Sequence, residues 1–120
     1  EQVLDSMPAC MEAAALAKMA ERGQIKGCIA DGPLALDVAI DKESVEIKKL
    51  TSPVAGDADC LVFPNIESAN VFWKTNSKLA PGVRQAGMLV GTTAPCILAS
   101  RADSVDTKLN SIAEAVMSVK

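Results

Sequence analysis

The sequence predicts an α/β domain: a layered, largely parallel or mixed sheet with flanking helices. Three observations carry this. Segments of helical period alternate along the chain with short apolar runs. Those runs are apolar on both faces, as strands buried between two layers are. The composition, 49% hydrophobic and 22% charged over 120 residues, suits one folded domain or one piece of a larger one. Right-handed crossovers would then join the strands. No internal repeat or low-complexity tract is present.

The elements follow in order. "DSMPACMEAAALAKMAERG" reads as a helix, with Pro8 in a first turn and Ala9, Ala13, Leu16 and Ala20 on one face. Gly23 stands where that helix should stop. "IKGCIADG" reads as a short strand, and "PLALDVAI" as a short helix that Pro33 could open. "ESVEIKKLTSPVAGD" is a helix or irregular segment running into a polar loop over 51–58. "DCLVFP" is a continuous apolar run, hence a buried strand. "NIESANVFWKTNSKLAPG" is a helix that Pro81-Gly82 ends, and "GMLVG" and "PCILAS" are two further strands. The last helix has the clearest period. Val105, Leu109, Ile112, Ala113, Val116 and Met117 form one stripe, with Asp103 or Ser104 as N-cap.

Composition excludes several classes of chemistry. Net charge is −3, and two Phe and one Trp are the only aromatics. Neither a phosphate-binding basic face nor a base-stacking platform is implied, so nucleic acid is not an expected partner. The absence of histidine removes Ser-His-Asp and Cys-His catalysis and all His-ligated metal sites. Acid–base work falls to Asp, Glu, Lys or Cys. Cys10, Cys28, Cys60 and Cys96 are dispersed in apolar contexts, which predicts small buried hydrophobes and a reduced, cytoplasmic home. No run approaches a transmembrane length, so no membrane partner is expected. The chain starts at Glu1 rather than Met, and the expectation is an excised fragment.

In open α/β sheets, ligands bind beyond the carboxyl ends of the strands. Three such junctions here are polar. In "DGPLALD", Asp31 and Asp37 bracket the Gly32-Pro33 turn, which ordinary turn chemistry and a helix cap also explain. In the second, Gly56 and Asp57 precede a strand and Asn65, Glu67 and Asn70 follow it, with Asn65 equally suited to cap the next helix. In the third, Ser100 and Arg101 end a strand, and Asp103, Ser104 and Thr107 surround the first turn of the last helix. Free N–H groups and the helix dipole favour an anion there, and Arg101 can grip a phosphate bidentately. The competing reading pairs Arg101 with Asp103 or Asp106 on the surface.

The strings "GQIKGCIADGPLALDVAI", "SPVAGDADCLVFPNIESANVFWK" and "SRADSVDTKLNSIAEAV" resemble, in order and in register, the C-terminal part of the phosphate acetyl- and butyryltransferase family. The butyryl branch is the nearer likeness, and it covers nearly the whole chain. The resemblance implies reversible transfer of an acyl group between CoA and inorganic phosphate. It implies a two-domain α/β fold similar to the isocitrate and isopropylmalate dehydrogenases, with the active site in the cleft between domains. Residues 1–120 would be the C-terminal portion of such an enzyme, inactive alone, and a homo-oligomer at full length. The family's active-site Ser-Arg pair maps onto Ser100 and Arg101. Asp31, Gly32, Pro33, Asn65, Glu67, Asn70, Ser104 and Thr107 are the candidate substrate-binding positions. The acetyl branch has an aspartate seven residues after the serine, implicated as the base for the CoA thiol. Thr107 stands there, with Asp106 beside it as the carboxylate candidate. CoA is a substrate, and no metal or cofactor is implied.

The chemistry is consistent without the family. Acyl transfer between a thiol and phosphate needs an anion site, a thiolate and donors for the oxyanion of the tetrahedral intermediate. Positioning two substrates together can supply about 7–11 kcal/mol. Two other readings remain at this point: a non-catalytic α/β domain, and a 2-hydroxy-acid dehydrogenase-like enzyme of the same fold. The latter needs a metal held by aspartates, and no matched set of aspartates is evident.

Overall fold

The computed structural model describes residues 1–119. Five helices are formed: α1 (Pro8–Glu21), α2 (Leu36–Ile40), α3 (Lys42–Lys48), α4 (Ile66–Leu79) and α5 (Val105–Met117). The chain divides into two units, Glu1–Pro64 and Asn65–Lys120.

In the first unit, α1 begins with Pro8, whose missing N–H costs nothing in a first turn. It ends in a Schellman arrangement. Gly23, at φ 73°, donates its N–H to Ala20 O, and Gln24 donates to Met19 O. The helix expected from Pro33 starts at Leu36, so Pro33 lies ahead of it, in a cis peptide with Gly32. The segment left between helix and irregular chain is α3. Asp41 caps it, accepting from the Ser44 N–H and hydroxyl. Helices α2 and α3 pack together, and the loop after them closes on α2: Gly56 N–H donates to Val38 O and Ala58 N–H to Ala39 O. Val38 and Ala39 are the buried apolar residues of this unit.

In the second unit, Asn65 caps α4 and Ser104 caps α5. Of the two cap candidates for α5, Ser104 takes the role because its hydroxyl accepts the Thr107 N–H, while the Asp103 carboxylate is engaged elsewhere. The apolar stripe of α5 does not supply the buried face. Leu109 is 58% and Val116 66% exposed, whereas Ser111 and Ala115 are buried. The Ser111 hydroxyl explains this: it donates to Thr107 O and accepts the Gly87 N–H, fastening α5 to the 85–88 segment by its small polar face.

The expected strands are irregular chain, with bends in the first of them and Gly27 at φ 84°. Among the described residues the only sheet pairing is an isolated antiparallel bridge between Leu89 and Cys96. A strand gains its hydrogen bonds from a neighbour, and among the described residues no sheet pairing involves "IKGCIADG" or "DCLVFP". Their apolar side chains are correspondingly open, Val62 being 83% exposed. The cysteines follow the same pattern: Cys28, Cys60 and Cys96 are exposed rather than buried.

Candidate active site

Two groups of sequence-predicted residues fall in different units. In the first unit, Asp31 Oδ1 accepts the Gly32 N–H, and a Cβ on Gly32 would sit 3.2 Å from Ala13 Cβ on α1. Asp31 and Gly32 line an open hollow with Ala14, Ala17, Cys28 and Ile29. Asp37 does not cap α2; it pairs with Lys48 Nζ at 2.8 Å. That hydrogen bond holds the Asp37 carboxyl below the ordinary carboxylate range, and the same contact together with Glu1 raises Lys48. The pair is partly exposed and links α2 to the end of α3.

In the second unit the structure brings the Ser-Arg pair together with α4. Residues 100–103 form a turn closed at both ends by Asp103. The Asp103 N–H donates to Ser100 O at 3.1 Å, and the Ser100 N–H donates to Asp103 Oδ2 at 2.8 Å. Arg101 and Ala102 are the central residues of that turn. Asp103 Oδ1 faces Lys74 Nζ at 3.4 Å, and Lys78 Nζ donates to Ala102 O at 3.3 Å. Both oxygens of Asp103 are thus occupied, and among the described residues no carboxylate pairs with Arg101. The surface pairing of Arg101 with Asp103 or Asp106 does not form. The guanidinium is exposed at the start of a helix whose first turn carries Asp106, also exposed.

The remaining residues divide by role. Asn65 Oδ1 accepts the Ser68 N–H, the structural role that its position suggested. Glu67 and Asn70 are exposed and share one stripe of α4 with Lys74 and Lys78, at helical spacings of three and four. Ser104 and Thr107 bond each other, hydroxyl to hydroxyl at 3.0 Å. Thr107 therefore helps close the cap of α5. Sequence reasoning overlooked Lys74 and Lys78. The signal was available: two lysines four apart on a helix whose other positions are largely apolar or small. Among the described residues no three Cys, Asp or Glu side chains gather as metal ligands.

This arrangement, an unpaired arginine on a pinned turn at a helix N-terminus, suits the binding of an anionic group. Comparison with known proteins gives the chain a family. Residues 4–116 match the family model described as phosphate acetyl/butaryl transferase, and the chain belongs to that family. It is 56% identical over 117 residues to the phosphate butyryltransferase of Clostridium beijerinckii, covering 98% of this chain and 38% of that protein. It is 50% identical to the phosphate acetyltransferase of Thermotoga maritima over 94% of this chain and 38% of that protein. The crystal structure of a branched-chain phosphotransacylase from Enterococcus faecalis V583 superposes with a TM-score of 0.83 at 34% identity, covering 97% of this chain and 41% of that one. The chain thus spans about two-fifths of the length of the relatives it matches.

Proposed function

We propose that the full-length protein transfers an acyl group between CoA and inorganic phosphate, and that residues 1–120 are its C-terminal portion. The observation that carries this reading is the Arg101 turn: a guanidinium free of carboxylates, beside the N-terminus of α5, in a chain of this family. In the reaction, Arg101 binds phosphate, or the phosphoryl group of the acyl phosphate, through paired N–H donors. The Ser100 hydroxyl donates to the carbonyl oxygen as it gains charge in the tetrahedral intermediate. In the acyl phosphate-consuming direction, the thiolate of CoA attacks the carbonyl carbon and phosphate leaves with the bonding pair. Asp106 is the candidate to take the thiol proton, and the positive end of α5 with Arg101 favours the thiolate. Asp31, Gly32, Pro33, Glu67 and Asn70 are assigned to substrate contacts, Ser104 and Thr107 to forming the α5 terminus. No cofactor is required in this scheme.

The open apolar segments "DCLVFP" and "PCILAS" fit this reading as strands of a dehydrogenase-like sheet in the full-length enzyme, where a cleft between domains would complete the site. A cytoplasmic homo-oligomer is the corresponding setting.

The test is Arg101→Gln in the full-length protein, followed as phosphate-dependent release of CoA from acyl-CoA. Losing a charged hydrogen bond costs about 1.5–3 kcal/mol, so kcat/KM for phosphate should fall at least about tenfold. The melting temperature should change little, since Arg101 makes no ion pair here. Retained activity with a sharply lowered melting temperature would make Arg101 structural and refute the assignment.

A further inference from the structure

We infer that Lys74 is a positioning residue for Arg101, acting through Asp103. This rests on the reading of Arg101 as the phosphate-binding group. Four observations, all within the second unit, support it. The Asp103 side chain is 7% exposed, whereas Lys74 is the cation within reach of it, at 3.4 Å. A nearly buried carboxylate needs a compensating cation, and loses its place without one. The same carboxylate receives the Ser100 N–H at 2.8 Å and so fixes the first residue of the turn. Lys78, one helical turn along α4, holds the third residue by its carbonyl at 3.3 Å. The turn that presents Arg101 is therefore held at its two ends and its third residue, and two of those restraints originate on one face of α4.

The consequence for the chemistry is specific. The Ser100 N–H and Lys74 hold the two Asp103 oxygens, and Asp103 makes no ion pair with Arg101. Remove Lys74, and one carboxylate oxygen is released within three residues of the guanidinium. Arg101 then gains an internal partner that competes with phosphate. Lys74 both aims the turn and keeps its arginine free. The defect should appear as a raised KM for phosphate, with little change in KM for acyl-CoA.

The experiment is a double-mutant cycle in the full-length enzyme, with Lys74→Met and Arg101→Gln made singly and together. Lys74→Met is expected to raise the KM for phosphate about tenfold. In the Arg101→Gln background it should add less than about twofold, because its effect is routed through a group already absent. Asp103→Asn is the second variant. It keeps an acceptor for the Ser100 N–H and removes the carboxylate that would compete with phosphate, so it should leave the KM for phosphate within about twofold, and Lys74→Met added to it should raise that KM by less than about twofold. Multiplicative losses in the double mutant would overturn the inference while leaving Arg101 as the phosphate site. A silent Arg101→Gln alone would overturn the phosphate-binding reading, and this inference with it.

Discussion

Asp106 and Thr107 stand next to each other at the start of α5, and the structure separates their roles. Thr107 is spent on the Ser104 cap, by backbone N–H and by hydroxyl. Asp106 is exposed in the same first turn. One position along a helix is about 100° around its axis, so Asp106 presents a different face from the residue it adjoins. The proposed reaction gives Asp106 the thiol proton. In the full-length enzyme, Asp106→Asn is expected to abolish the acidic limb of the pH dependence of kcat/KM, because that limb reports protonation of the free enzyme's base. An unchanged profile would assign thiolate formation to the field of Arg101 and the helix terminus alone. At this scale the sequence was partly legible. The Ser104 cap was visible because short-range rules govern helix caps. The engagement of Asp103 was hidden because its counterion lies 29 positions away, on another helix.

Elements were legible where their boundaries are set by neighbours in sequence. Pro8 opens α1 because its missing N–H is not needed there, while Gly23, Asn65 and Ser104 bound their helices through local hydrogen bonds to backbone groups. The buried face of α5 was not legible, because the Ser111 hydroxyl rather than the Leu109–Val116 stripe meets the 85–88 segment. The loop after α3 shows the same dependence on distant atoms. Gly56 is buried at φ 75°, and a Cβ there would lie 2.8 Å from Lys42 Cγ and 3.0 Å from Lys42 Cα. Both its left-handed backbone and the approach to α3 require glycine. Gly56→Ala in the full-length protein should lower stability by about 1–3 kcal/mol, a fall in the denaturation midpoint without a change of slope. An unchanged midpoint would mean that Lys42 and α3 shift freely to admit the methyl group.

At the scale of the whole molecule, the α/β alternation in the sequence marks where helices and apolar runs lie, but a sheet is a property of strands taken together. The runs around Val62, Val90 and Leu98 have the composition of buried strands and the exposure of loops. Periodicity within a segment says which residues seek cover, and nothing about what provides it. The curated relatives that the chain matches are more than twice as long as these 120 residues.

The open apolar face of α5 and the exposed apolar runs predict a response to temperature for these 120 residues. Association of apolar surface is driven by water release, strengthens on warming through the ambient range and weakens in the cold. Residues 1–120 prepared alone should self-associate through Leu109, Ile112 and Val116, all exposed on α5. Sedimentation should show the associated fraction growing between cold and warm solution and shrinking again on cooling. Replacing Leu109 and Val116 with glutamine should lower it at every temperature, and an associated fraction insensitive to both changes would place the contact elsewhere.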